Sequence, residues 1–375
     1  MILNETQHAI RDAVREFAQE RIRPRSAAFE DARGYPKELF EQLAGLGVMG
    51  MTAPEEYGGA GADSVSYALA LMEIAAADGA LSTIISIQNS LIVASLLKDG
   101  TKAQRERFLP ELISGRMLGA FALTEADAGS DASALRTRAQ KVDGGYRLNG
   151  SKQFISSARI AGIAIVYAVT DPAAGKRGIS GFIVPTDAPG YRVDKVEHKL
   201  GQNASDTCAI RFDDVFVDDG LRLGAEGAGY GIALSNLEQG RIGIASQCIG
   251  MAQAALDIAV AYAKERKSFG TAIIQHQAVG FRLADLAAKL EAARQLVLHA
   301  AATKDAGLPS LKEASMAKLV ASETAEAVVS GAIQTLGGYG YLEEFGVAKI
   351  YRDVRVCQIY EGTSDIQRMV IARAL

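Results

Sequence analysis

Near the C-terminus the chain reads Ile359-Tyr360-Glu361-Gly362-Thr363-Ser364-Asp365-Ile366-Gln367-Arg368. A single carboxylate stands between an aromatic ring and a glycine. The Thr-Ser-Asp run that follows can start a helix, with side-chain oxygens over its first amides. Glycine beside the carboxylate lets a ligand approach the backbone closely. This arrangement suits a general base whose neighbouring N–H groups polarise the atom it deprotonates. The same residues also make an ordinary cap on a surface helix, so the choice falls to the rest of the chain.

Upstream of this segment the apolar period is helical back to about residue 228. Arg241 to Arg266 predicts one long helix, with Ile242, Ala245, Cys248, Ile249, Ala252, Leu256, Val260 and Ala263 on its apolar side. Residues 275–305 and 311–336 predict two more, and such helices form an antiparallel bundle. Their apolar breadth exceeds what one bundle needs, which points to burial against another subunit. Between about 119 and 220 the texture changes to short apolar runs broken by glycine, proline and aspartate. Tyr146–Leu148, Ile163–Val169, Gly181–Val184 and Ala209–Phe212 read as strands, and Val142-Asp143-Gly144-Gly145-Tyr146 as a hairpin. The first part is helical again. Asn4 can cap a helix with Gln7 reciprocating, Pro36 starts another, 54–61 is a glycine-rich loop, 63–78 and 81–97 are helices, and Pro110 opens one that ends near Gly115. The expected fold is therefore mainly α with a central β-domain. It comprises an N-terminal helical domain (1–118), a middle small β-barrel or sandwich (119–227) and a C-terminal four-helix bundle (228–375).

With 375 residues, 49% of them hydrophobic, the chain can bury a large core. A net charge of −4 gives no basic footprint for nucleic acid. The three cysteines, Cys208, Cys248 and Cys357, and the four histidines are dispersed, without metal spacing. The cysteines read as buried thiols of a reducing compartment, and His276 as a packing or helix-surface residue. Residues 79–97 carry no charge, yet hydroxyl and amide side chains interrupt them, so a buried core helix is expected rather than a membrane span. No presequence is visible, and a cytoplasmic, bacterial protein is expected.

Four further segments combine groups that could hold a ligand. In Phe121-Ala122-Leu123-Thr124-Glu125-Ala126-Asp127-Ala128-Gly129-Ser130-Asp131, the loop from Thr124 to Asp131 can meet a polar ring system through backbone groups, or simply connect the first bundle to the β-domain. Asn149-Gly150-Ser151-Lys152-Gln153-Phe154-Ile155-Ser156 sets an aromatic face beside a hydroxyl, or packs its Phe inward from a strand. Arg266-Lys267-Ser268-Phe269-Gly270, with Gln277 behind it, offers a guanidinium fork for pyrophosphate, although the helix dipole favours arginine there anyway. Gln334-Thr335-Leu336-Gly337-Gly338-Tyr339-Gly340 offers amides and close backbone approach, or a plain helix C-cap. No Gly-x-Gly-x-x-Gly follows a strand, so a Rossmann-type site is not expected.

Taken in order, these five segments resemble the acyl-CoA dehydrogenase family. Gly240-Arg241-Ile242-Gly243-Ile244-Ala245-Ser246-Gln247 is most similar to its short-chain, butyryl-CoA branch. The resemblance implies FAD, with Phe121, Leu123, Thr124, Gly129, Ser130, Phe154, Ile155 and Ser156 at the flavin and Thr363, Ser364 and Asp365 also touching the cofactor. Arg266, Phe269, Gln277, Gln334, Thr335, Leu336, Gly337 and Gly338 would reach the FAD of a neighbouring subunit in a homotetramer. Glu361 would be the catalytic base. Ser130, Glu238, Gln239, Gly240, Arg241, Tyr360 and Gly362 would surround an acyl-CoA. Arg241 would hold the base-bearing loop or the substrate, unless it is a solvated helix arginine. In the isovaleryl-CoA branch the base precedes the arginine matching Arg241; here that position is Gly240, which leaves Glu361. Two departures stand out: Ala126 replaces a usual proline, and Phe154-Ile155-Ser156 replaces Trp-Ile-Thr.

The implied reaction is α,β-dehydrogenation of an acyl-CoA thioester. Glu361 takes the α-proton while hydride passes from the β-carbon to flavin N5, near the Ser156 hydroxyl. The backbone N–H of Glu361 and a ribityl hydroxyl polarise the carbonyl. Electrons then go to an electron-transfer flavoprotein. A branched-chain acyl-CoA dehydrogenase, an acyl-CoA oxidase and a desulfinase remain open within the resemblance, and a non-catalytic acyl-CoA-binding or scaffold protein outside it. Pocket depth is expected to depend on the helix around Gln88 to Ser90.

Overall fold

The computed structural model describes all residues, 1–375. Helix α1 (Glu5–Phe17) begins with the expected reciprocal cap between Asn4 and Gln7. It runs into a π-helical turn, Ala18–Ile22, ahead of α2 (Ser26–Ala32) and α3 (Lys37–Gly45), which starts after Pro36. Helix α4 (Ser64–Ala77) and α5 (Gly79–Ile87) are each capped by an aspartate, Asp63 and Asp78. A second π-turn, Gln88–Val93, joins α5 to α6 (Ala94–Asp99) without a break in the rod. By length and composition this rod could cross a membrane. Residues 79–93 are buried throughout, so protein, not lipid, covers the uncharged stretch.

Pro110 does not open a helix. Helix α7 (Lys102–Ile113) starts eight residues earlier, where Thr101 and Gln104 form a second reciprocal cap. The cap supplies partners for the first amides, and a proline in the last turn forfeits only one hydrogen bond.

Eight strands make the middle domain: β1 (Gly119–Ala122), β2 (Arg138–Val142), β3 (Gly145–Ser156), β4 (Ile163–Val169), β5 (Ile179–Pro185), β6 (Tyr191–Val196), β7 (Thr207–Asp218) and β8 (Arg222–Leu223). They run in the order β6-β7-β3-β2-β4-β5-β8, with β1 parallel to β4 at the side. The Asp143-Gly144 hairpin joins β2 to β3, with Gly144 at φ 72°. Phe121 lies in β1, where its ring packs 5.2 Å from that of Tyr167.

The C-terminal domain is built on α8 (Gly229–Glu265), α9 (Gln277–Asp305) and α10 (Leu311–Leu336), with a β9–β10 hairpin (Lys267–Ser268, Thr271–Ala272) after α8 and the short helices α11 (Val347–Val354) and α12 (Ser364–Arg373) at its end. Alanines such as Ala245, Ala252, Ala259, Ala317, Ala321 and Ala325 fill the core between α8 and α10. Gly250 brings α8 against α4: a Cβ there would stand 2.9 Å from the Met72 carbonyl carbon.

All three domains meet at one buried polar junction. Gln202, on the loop between β6 and β7, donates its backbone N–H to Asp353 of α11 and its Nε2 to the Asp353 carbonyl at 3.0 Å. Its Oε1 accepts from Thr83 of α5 at 2.7 Å. Lys349 of α11 lies 2.6 Å from Asp353, 3.7 Å from Asp78 and 3.9 Å from Glu30. Burial raises Asp353 to about 6, against the pull of Lys349.

Candidate active site

Glu361 sits on the connection between the 3₁₀ turn Arg355–Gln358 and α12, in the left-handed region at φ 52°, followed by Gly362 at φ 92°. Its carboxylate lies against α8 at Gly240. A Cβ on Gly240 would stand 2.8 Å from the carboxyl carbon and 3.2 Å from Oε1. The absent side chain at 240 therefore makes the space the carboxylate occupies. Oε2 is buried with no hydrogen-bond partner. Burial pushes the Glu361 carboxyl up to about 7, while Lys318 and Arg241 pull it down. Its backbone N–H makes no hydrogen bond within the chain. A poised carboxylate and a free amide on one residue are what proton abstraction beside a carbonyl requires.

Arg241 is 6% exposed, which rules out the solvated reading. Its Nη1 donates to Ser315 Oγ at 3.1 Å and its Nε has no partner. Burial lowers its pKa, opposed by Glu361 and Glu238. Lys318 Nζ donates to the Gly362 carbonyl at 2.6 Å, and Gln367 Nε2 donates to the same oxygen at 2.9 Å. Tyr360 donates its hydroxyl to Gln247 Oε1 at 2.6 Å. Gln247 in turn donates Nε2 to the Gly79 carbonyl at 2.7 Å and to Thr83 Oγ1 at 2.6 Å. This cross-link ties α5 and α8 to the residue that precedes the base. Gln88 and Asn89, expected to set pocket depth, are instead tied to backbone groups. Gln88 holds Leu112, Met117 and Gly119; Asn89 holds Val48, Met51 and Ile85. Glu238 accepts from Ser310 and Gln239 from Lys304, each at 2.7 Å, so the two residues before Gly240 tie α8 to the start of α10 and the end of α9.

The flavin segments fall into two groups. On the β-domain, Phe154 is held at φ 59° with its ring 63% exposed, while Ile155 points into the β-core at 2%. The Thr124 carbonyl accepts from the Gln153 N–H at 2.8 Å, which seats the Leu123-Thr124 loop beside Phe154 and Ser156. Beneath them Lys152 donates to the Leu123 carbonyl at 3.0 Å and to Glu125 at 2.8 Å. Burial lowers this lysine to about 8, against the pull of Glu125. Gly129 and Ser130 are exposed at the edge of the same loop. Thr363 caps α12, the buried Ser364 Oγ has no partner, and Asp365 is exposed.

The second group forms a concave pocket of about 490 Å³ lined by Tyr262, Arg266, Thr335, Leu336, Gly337 and Gly338 among others. Arg266 lies over the Tyr339 ring at 5.9 Å, and Cβ atoms on Gly337 or Gly338 would meet open space. Phe269, 98% exposed at φ 50°, and the exposed Gln277 and Gln334 stand nearby in sequence. Thr335 spends its hydroxyl on Gly331. His276 holds the Ser268 hydroxyl at 3.1 Å, a packing role as expected. Gly240 and Arg266 lie 26 residues apart along α8, about 39 Å at the α-helical rise. Within one chain, Glu361 packed on Gly240 is thus well separated along α8 from the Arg266 pocket.

Family models for the acyl-CoA dehydrogenase N-terminal, middle and C-terminal domains match residues 4–116, 120–215 and 227–375. The chain belongs to the acyl-CoA dehydrogenase family. It is similar to an acyl-CoA dehydrogenase of Bacillus subtilis (strain 168), 46% identical over 375 residues and covering 100% of this chain and 99% of the relative. The butyryl-CoA dehydrogenase structure from Megasphaera elsdenii matches with a TM-score of 0.97 at 42% identity, covering 100% and 99%. A chain in a solved structure of the electron transferring flavoprotein of Acidaminococcus fermentans matches with a TM-score of 0.98 at 41% identity, covering 100% and 98%. This acyl-CoA dehydrogenase is an FAD flavoprotein and an oxidoreductase of acyl-CoA metabolism. The exposed Phe154 face, the unpartnered Ser364 hydroxyl and the open Arg266 pocket fit such a group.

No residue pattern in the sequence assigns a role to Lys318, Gln367 or Lys152. One signal for Lys318 exists: it stands on the alanine stripe Ala314, Ala317, Ala321, Ala325 of α10, where a lysine is out of place unless something polar faces it.

Proposed function

We propose that this acyl-CoA dehydrogenase oxidises a short-chain acyl-CoA to the 2-enoyl-CoA with Glu361 as the α-proton base, and delivers electrons to an electron-transfer flavoprotein. The observation that carries the reading is the partnerless Glu361 carboxylate resting in the space left by Gly240. An α C–H is far too weak an acid for a free carboxylate. The unused Glu361 N–H is suited to accept the developing charge on the thioester oxygen, and the desolvated carboxylate is a stronger base than one in water. Bound FAD supplies the two-electron acceptor for the β-hydrogen. Phe154, Ser156, Thr124 and Ser364 would hold it near the base. The Arg266 pocket of a second subunit would take its remote phosphates, since about 39 Å of helix separates that pocket from Gly240. That division is our ground for a homo-oligomer, a tetramer by family likeness. The Tyr360–Gln247–Thr83 cross-link holds α5 against α8 at the residue before the base, an arrangement suited to a short acyl group. The M. elsdenii and A. fermentans likenesses favour a butyryl-type substrate and a flavoprotein acceptor.

The test is anaerobic mixing with acyl-CoA thioesters from C4 to C16, branched members included. Wild type should bleach its flavin fastest with C4. Glu361→Gln should bind FAD and acyl-CoA yet lose about 10²–10⁴ in rate. Near-wild-type bleaching by that variant would remove Glu361 from its role. Fast reoxidation of the reduced enzyme by air would mark an oxidase instead.

A further inference from the structure

Lys318 is 0% exposed on α10, and no carboxylate lies within ion-pair distance of it. Its neighbours on the same helix face, Ala314, Ala321 and Ala325, are buried alanines. An aliphatic side chain would pack there without the cost of burying an ammonium. The one hydrogen bond Lys318 makes is to the Gly362 carbonyl, 2.6 Å away, in the peptide that follows Glu361. Glutamate in the left-handed region, at φ 52°, is strained backbone, so the turn at 361–362 must be held from outside. Lys318 and Gln367 both hold it, on the same oxygen.

We propose that Lys318 is a positioning residue for the base: it clamps the turn that aims Glu361 over Gly240, and it sets a positive charge beside the carboxylate. The proposal rests on Glu361 being the base. The charged and titratable groups around this pair are few. Arg241 on α8 and Tyr67 on α4 face Glu361, Cys248 on α8 and Cys357 face Lys318, and the Tyr360 hydroxyl lies against Cys357 and Gln247. Arg241 is already engaged with Ser315, one turn before Lys318. Burial lowers the Lys318 pKa, and Cys248, Cys357 and Glu361 oppose that shift. When the α-proton reaches Glu361, the local charge rises by one, so Lys318 opposes proton uptake while it keeps the waiting base ionised.

The experiment uses FAD-loaded Lys318→Met, Lys318→Arg and Gln367→Leu enzymes. Flavin reduction is followed against pH by rapid mixing, and the Glu361 carboxyl is titrated without substrate by infrared difference against Glu361→Gln. Lys318→Met should raise the midpoint in both readouts by about one pH unit and cut the limiting rate about tenfold or more at little-changed substrate affinity. Lys318→Arg should recover most of both. Gln367→Leu should slow reduction without moving the midpoint. If Lys318→Met does not fold, Lys318→Gln keeps a donor for Gly362 and removes the charge, so its midpoint must still rise. Wild-type midpoints in the neutral variants overturn the proposal. An active Glu361→Gln enzyme would instead overturn the base assignment, so the two failures are distinguishable.

Discussion

Glu361 is suited to chemistry at a cost to the fold. Its value in the folded chain, about 7, lies above the ordinary 4.5, so the native state holds this proton more tightly than the unfolded chain. The penalty of burying the anion is absent below pH 4.5 and fully present above pH 7. Glu361→Gln should therefore stabilise the protein at pH 8 by roughly 1–3 kcal/mol, and by nothing at pH 4.5. Thermal unfolding at the two pH values checks the sign. Gly240 allows an equally local prediction. A methyl there would collide with the carboxylate, so Gly240→Ala should keep FAD and slow flavin reduction at least about tenfold. Rapid mixing reads the rate, and an unchanged one would mean the carboxylate does not rest on α8. At this scale the sequence was legible where chemistry is local. A carboxylate, a glycine and a helix cap sit side by side at 361–364. The alanine stripe marks Lys318 as out of place but does not reveal its partner, which lies 44 residues away and is brought to it only by packing of α10 on the base loop.

Elements were read best where a cap and a period agree. Helix α1 starts at the Asn4–Gln7 box, and β4 occupies the expected residues 163–169. Helix α7 was misplaced because proline is the stronger local mark, while Thr101 and Gln104 make the real start. The sequence points to the helix around Gln88 to Ser90 for pocket depth. The structure shows Gln88 and Asn89 spent on backbone groups, and no pattern in sequence separates an amide that lines a pocket from one that satisfies a carbonyl. At the far end of α8, Arg266 makes no ion pair within its own chain. Arg266→Ala should weaken FAD retention by roughly 1.5–3 kcal/mol, the scale of one charge-assisted contact. It should loosen assembly with it. Flavin content after gel filtration, beside the elution volume, measures both; a monomer fully loaded with FAD would contradict the prediction.

Across the whole molecule, Lys349 is the cation on which the three-domain junction depends. Lys349→Met would leave Asp78 and Asp353 buried together without a counter-charge. A loss of about 3–5 kcal/mol is expected. It should be largest above pH 6 and smaller below, where Asp353 takes a proton. Thermal melts across that range test the trend.

The length of α8 has a genetic consequence. With Gly240 in its first half and Arg266 about 39 Å further on, each copy of the helix on the proposed assembly serves two reaction centres, its own and a neighbour's. Defects at the two positions are then separable alleles. A Glu361→Gln subunit still lends a sound Arg266, and an Arg266→Ala subunit still has its own Glu361. Co-expressed, the pair should complement. A mixed dimeric unit concentrates both lesions in one centre and leaves the other intact, so hybrids should regain up to about half the wild-type turnover per mixed pair while neither parent alone does. Differentially tagged subunits, purified in tandem and assayed with C4 acyl-CoA, would show it. Hybrids no better than their parents would mean that each centre is built from a single chain.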